Sequence, residues 1–278
     1  MRINVFFTFS LSFVLTVSAF AQSPFKSQSP ETAKGDRLYS RELYKEALAE
    51  YHKLPLTSEV RKRMGASYIK LWDMPAAIEA LRAGLKQEPR DAEAKVYLAE
   101  ALSWNKNFGE AAALYKEVLA SGYSGVDARL GYARTLSWMK DFDGAIEQYR
   151  MAAKEYPSSL DAHMGLGQLL SWKKQFDNSL SAYRRVVSLT SVPAYKSVAL
   201  ARIGQVHVWK GDMDAARTAW GEALRLDDGN VDALLGLGEL DEWSGNYKEA
   251  KRRYERVLKV QPEHKAAKAK LLQLLWVK

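Results

Sequence analysis

The chain has 278 residues, 41 Lys and Arg against 33 Asp and Glu for a formal net charge of +8, and no cysteine. The lack of cysteine excludes disulfides, a thiol nucleophile, cysteine-held metal and a lipid anchor on a leader-cleavage cysteine. The positive excess is dispersed along the chain, so it favours solubility and weak attraction to anions without pointing to nucleic acid.

Residues 1–21 read as a secretory leader. Arg2 supplies a positive start, Val5 to Phe20 is mostly apolar, and Ala19-Phe20-Ala21 puts small residues where a signal peptidase cuts. Cleavage before Gln22 is expected. Asn4, Thr8, Ser10 and Ser12 interrupt the apolar run, a poor match to a span of about 20 apolar residues. The mature chain is therefore expected to be soluble, without a membrane span, and periplasmic, with extracellular release as the alternative. Gln22 to Pro30, QSPFKSQSP, reads as a disordered polar linker.

From Glu31 onward a pattern recurs. Trp104, Trp138 and Trp172 are 34 residues apart, Trp209 follows after 37, and Trp243 after another 34. A fixed period in this range marks a helical solenoid. The register gives units at about 28–57, 58–91, 92–125, 126–159, 160–196, 197–230 and 231–264, then a segment 265–278 that closes the open apolar end. The unit 126–159 shows the design. Arg129, Tyr132, Ala133 and Leu136 form one helical stripe, and Phe142, Ala145, Ile146, Tyr149 and Ala152 form a second after the break Met139-Lys140-Asp141. Pro157 stops the second helix and Ser159 caps the next, as Asn230 and Asp91 do in other units. Phe142 is expected to be buried between its paired helices.

Small residues at Ala99, Ala133, Gly167, Gly204 and Gly238 share one place in the repeat, and Ala111, Ala145, Ala216 and Ala250 another. Close helix crossings require them. The 28–57 unit is four residues short, an imperfect N-terminal cap. TSVPAYK at Thr190–Lys196 carries a three-residue insertion expected to lengthen one turn.

At these positions the sequence resembles the tetratricopeptide repeat, from about Glu31 to Lys278; Leu166-Gly167 and Leu237-Gly238 match that family's Leu-Gly pair. Lys95, Arg129 and His163 stand where the family usually has Trp. The resemblance implies an all-α fold: a right-handed α-solenoid of about seven helix pairs plus a C-terminal capping helix, its concave wall made by the first helix of each pair. More narrowly, the Leu-Ser-Trp repeats look like those of the periplasmic portions of bacterial exopolysaccharide-export and YaiO-type outer-membrane proteins. In those families the repeats precede a β-barrel; here the resemblance leads to the expectation of a free-standing repeat module, any barrel partner being another chain.

The tryptophans are the unusual feature. At about 100° per residue, Trp138 lies about 170° from the centre of the first-helix stripe in its unit. Trp104, Trp138, Trp172, Trp209 and Trp243 thus form a column on the implied concave wall, with Trp72 two positions out of register. Glu100, Arg134, Gln168, Gln205 and Glu239 run beside it, with Ser103, Ser137 and Ser171. Indole faces suit apolar or proline-rich peptide, or the flat faces of sugar rings, and the N–H adds a polar handle. Alternatively each indole lies against the next first helix and only fills the inner wall.

His52, His163, His207 and His264 fall in different units without metal-ligand spacing, and no phosphate loop or Gly-x-Ser-x-Gly elbow occurs. Asp143, Asp177 and Asp214 sit at helix starts, where carboxylates favour the dipole. No catalytic, metal or cofactor site is expected. The function read from the sequence is an exported, non-enzymatic scaffold that takes a protein or peptide partner in its groove, among them an outer-membrane or polysaccharide-export component. The alternative is a cell-envelope polysaccharide-binding or export accessory module using the indoles.

Overall fold

The computed structural model describes Phe25 and residues 29–274. The leader and Trp276 lie outside the described residues, as does the 22–30 linker except for Phe25, Ser29 and Pro30. Among the described residues all regular structure is helical. The chain divides into two compact units, one ending at Ala101 and the other beginning at Leu102.

The first unit holds α1 (Ala33–Ser40), α2 (Tyr44–Tyr51), α3 (Ser58–Lys70), α4 (Met74–Gln87) and most of α5 (Ala92–Trp104). The helices α1 and α2 have only eight residues each, in line with the short first repeat. The second unit continues with α6 (Phe108–Ala120), α7 (Val126–Trp138), α8 (Phe142–Glu155), α9 (Leu160–Trp172) and α10 (Phe176–Leu189). It ends with α11 (Pro193–Lys210), α12 (Met213–Leu226), α13 (Val231–Trp243), α14 (Tyr247–Val260) and α15 (Lys265–Leu274). Successive helices pack in pairs, α3 on α4, α7 on α8, α9 on α10, α11 on α12 and α13 on α14. In the second unit each pair then docks on the next, α8 on α9, α10 on α11 and α12 on α13. This is α-solenoid architecture.

Local chemistry fixes the helix ends. The side chains of Asp91, Ser159 and Asn230 accept from the backbone N–H of Ala94, Ala162 and Ala233 at 2.9, 3.2 and 3.0 Å. Such caps stabilise a helix by about 1 kcal/mol each. The helices α4, α8 and α14 stop two residues short of Pro89, Pro157 and Pro262. In each turn between first and second helix one residue takes the left-handed conformation: Glu42, Trp72, Lys106, Lys140 and Lys174, then Gly211 and Gly245. This lets a later N–H reach back into the first helix, as Asp141 N–H does to Leu136 O at 2.9 Å.

The small residues act as expected. Ala133, Ala145, Ala216 and Ala250 are fully buried, and a Cβ added to Gly204 would lie 2.5 Å from Trp220 Nε1. Two expectations need correction. The insertion near Thr190 does not lengthen a turn; it is absorbed by α11, which has 18 residues where α7, α9 and α13 have 13. Phe142 is only half-buried, because it packs toward the neighbouring indole rather than wholly between its paired helices. At the C-terminal end, Ala267 of α15 is fully buried and Leu271 and Leu274 pack against the cluster of Leu234, Tyr254 and Val257. That covers the apolar face of the last pair, while Leu272 points outward.

Candidate binding site

Four of the five column tryptophans are the last residue of their helix (α5, α7, α9 and α13), and Trp209 is the last but one of α11. All five belong to the second unit. There neighbouring first helices also meet directly, α7 against α9 and α11 against α13. The indoles of Trp104 and Trp138 touch at 4.9 Å between centroids, inclined by 57°.

Three of the indoles also rest on the phenyl ring that opens the second helix of the preceding repeat. Trp138 lies 5.8 Å from Phe108, Trp172 5.7 Å from Phe142 and Trp209 6.4 Å from Phe176. The tilted and edge-on arrangements match the quadrupole preference of aromatic rings. For Trp243 the corresponding residue is Met213, and this indole stands 49% exposed. The other four are half-buried. Trp104, Trp138, Trp172 and Trp209 thus each bind repeats together with one part of the ring and keep another part at the surface. Trp72 belongs to the first unit, where it is 67% exposed and left-handed at φ 61° in the turn after α3.

The polar residues divide. Arg134, Gln168, Gln205 and Glu239 are half-buried on α7, α9, α11 and α13. Arg134 opposes the effect of burial on Tyr149, whose hydroxyl is pushed up to about 12. The Gln205 amide nitrogen is sealed from solvent and has no hydrogen-bond partner, a donor left over in the wall. Burial pushes the Glu239 carboxyl up to about 7, with Lys270 opposing and Glu242 adding to the rise. Glu242 accepts from Tyr254 Oη at 2.8 Å and from Lys270 Nζ at 2.6 Å, so α13, α14 and α15 meet at this carboxylate. Asp241 beside it is buried and paired with Arg217 at 2.7 Å and Arg253 at 2.6 Å. Glu100 lies in the first unit, where its charge acts on Tyr39.

The serines that the sequence places beside the indoles are used internally. Ser103 Oγ pairs with Thr135 Oγ1 at 2.7 Å, Ser137 donates to Ala133 O and Ser171 to Gln168 O. Asp143 and Asp177 sit in first turns and form ion pairs with Lys173 and Lys210 of the following repeat.

Sequence reasoning missed Trp220. It is buried, donates from Nε1 to Ala201 O at 2.9 Å and fits between Gly204 and Gly236. Its signal was present, because Trp220 occupies the repeat position of Tyr149, Tyr183 and Tyr254. Among the described residues no group of three His, Asp or Glu side chains could hold a metal ion, and no helix is long and apolar enough to cross a membrane.

Family models described as tetratricopeptide repeat match residues 63–122, 105–169 and 210–274, together more than half of the chain. Curated proteins give no match. Among solved structures, the Cut9–Hcn1 hetero-tetramer of the APC/C superposes with a TM-score of 0.66 at 14% identity, over 88% of this chain and 47% of that one. The chain thus spans about half the length of that protein. The C-terminal part of a TPR repeat-containing protein from Cytophaga hutchinsonii gives 0.64 at 15% identity, covering 87% of this chain and 99% of that one. YrrB, described as a TPR protein with an unusual peptide-binding site, gives 0.53 at 22% identity, over 69% and 98% of the two chains. Likeness at these identities establishes the fold, and with the sequence matches it makes the chain a member of the tetratricopeptide-repeat family.

Proposed function

We propose that this protein is an exported scaffold that takes an extended protein or peptide segment on the wall formed by its first helices. A tetratricopeptide-repeat stack is suited to protein–protein interaction and is generally non-catalytic. The observation that carries the reading is the indole column. Trp104, Trp138, Trp172, Trp209 and Trp243 keep part of each ring at the surface, with Arg134, Gln168, Gln205 and Glu239 between them on the same helices. An aromatic track with spaced amide and charged groups fits an extended chain whose backbone needs hydrogen-bond partners. YrrB, a TPR protein described as peptide-binding, adds support by analogy. Export rests on the leader-like residues 1–21, and the location proposed with it is periplasmic, with extracellular release as the alternative.

The second reading, a polysaccharide-binding module, is favoured by the same half-exposed indoles, since flat rings stack on sugar faces. One experiment separates the two. The leaderless chain is titrated with soluble envelope polysaccharides while indole fluorescence is followed, and in parallel is used to capture envelope proteins. The scaffold reading expects a silent titration and a specific protein whose capture is lost with Trp138→Ala plus Trp172→Ala. Saturable quenching abolished by the same pair would establish the sugar reading instead.

A further inference from the structure

Phe25 stands eight residues ahead of α1, in a stretch whose composition is that of a linker, yet it is only 2% exposed. Its ring lies 5.0 Å from Tyr39 and 6.4 Å from Tyr97, both inclined, with the Arg63 guanidinium carbon 4.7 Å from its centroid. Tyr39 is on α1, Arg63 on α3 and Tyr97 on α5, the first helices of three successive repeats of the first unit. A single ring from outside the helices thus bridges the first helices of three repeats.

The seat is held by the protein itself rather than by the ring. Asp36 accepts from Arg63 Nε at 2.7 Å and Nη2 at 3.1 Å, and also from Tyr51 Oη at 2.7 Å and Thr32 Oγ1 at 3.1 Å. Glu59 binds the remaining side of the guanidinium. A cation fixed in this way presents its flat face to whatever aromatic group enters, and two tyrosine rings line the sides. Nothing in this recognition requires that the entering ring belong to the same chain. Glu100, whose charge acts on Tyr39, adds an acidic border that suits a basic residue beside the ring; in this sequence Lys26 follows Phe25.

We propose that this seat is a peptide-binding site of its own, specific for an extended segment carrying phenylalanine next to a basic residue. Phe25 occupies it as an internal ligand that a partner segment of the same chemistry displaces. The proposal rests on reading the first helices as a peptide-binding surface, but it uses residues of the first unit and none of the indole column.

The test uses the leaderless chain and a fluorescein-labelled peptide of residues 22–30, QSPFKSQSP, followed by anisotropy. Phe25→Ala empties the seat, so this variant should bind the peptide saturably, and the unaltered chain at least tenfold more weakly because its own segment competes at high effective concentration. A peptide with alanine for phenylalanine should not bind. Equal binding to both chains, or none to the Phe25→Ala chain, overturns the proposal. Should Phe25→Ala lose helical circular dichroism, the peptide must restore it; unfolding that the peptide leaves unchanged also overturns it. The two readings fail separately, since the peptide probes the seat and partner capture probes the indoles.

Discussion

Replacing Glu239 by Gln tests how α13 handles buried charge. In an unfolded chain this carboxyl has its ordinary value of 4.5; on α13 burial raises it to about 7, against the pull of Lys270. The folded protein therefore holds a proton at pH values where the unfolded chain has released it. Below about 4.5 the group is protonated in both states and costs nothing. As pH rises through the window from 4.5 to 7 the folded state must ionise a carboxyl it has partly dehydrated, and stability falls. At about 1.4 kcal/mol per pH unit the full penalty has a ceiling of about 3 kcal/mol, reduced by whatever water reaches this half-buried side chain. Glu239→Gln removes the charge and keeps the shape. The variant should match the parent near pH 4.5 and be more stable by about 1–3 kcal/mol at pH 7.5. The assay is denaturant unfolding of both proteins at pH 4.5, 6 and 7.5, compared as a difference so that the other carboxylates cancel. A gap that is constant with pH, or that favours the parent at pH 7.5, refutes the reasoning.

Three further outcomes follow from the packing. Trp220→Ala should cost about 3–5 kcal/mol in urea unfolding, because it empties the space between Gly204 and Gly236 and strips Ala201 O of its donor. Trp220→Tyr, the residue used at that place in five other repeats, should cost less than half as much. Arg63→Ala should cost about 3–5 kcal/mol by leaving Asp36 buried and uncompensated, and adding Asp36→Ala should bring little further loss. Lys140 lies at φ 65°, so Lys140→Gly should gain about 1 kcal/mol in thermal unfolding, the usual cost of a left-handed non-glycine residue; an unchanged melting point would mean the turn is not strained.

The periodic features of this fold are legible in the sequence because each depends on a short stretch of chain. The cap at Ser159, the stop at Pro157 and the small residue at Gly204 are fixed by contacts within one repeat or with its immediate neighbour. The column of Trp138 and Trp172 is legible for the same reason, since a helical wheel gives the direction of a side chain. The wheel does not say how far that side chain reaches. It therefore missed that Trp172 settles on Phe142, 30 positions earlier, and that Ser103 turns away to meet Thr135. Pairing between repeats also hid the Arg63–Asp36 network, whose members look like ordinary surface charges until stacking buries them. Phe25 was the least legible. It is one aromatic residue in a polar stretch, and its seat exists only once Tyr39, Arg63 and Tyr97 have been brought side by side.

The central claim is that partners bind the first-helix wall and not the outer helices. Site-specific photo-crosslinking tests it most directly, with a photoreactive phenylalanine analogue placed at Gln168 on α9, between Trp138 and Trp172, or at the exposed Glu147 on α8. Irradiation of cells carrying each variant should give a discrete adduct from position 168 and none from position 147. Adducts from position 147 alone would place the binding surface on the opposite side of the helix pairs and contradict the account.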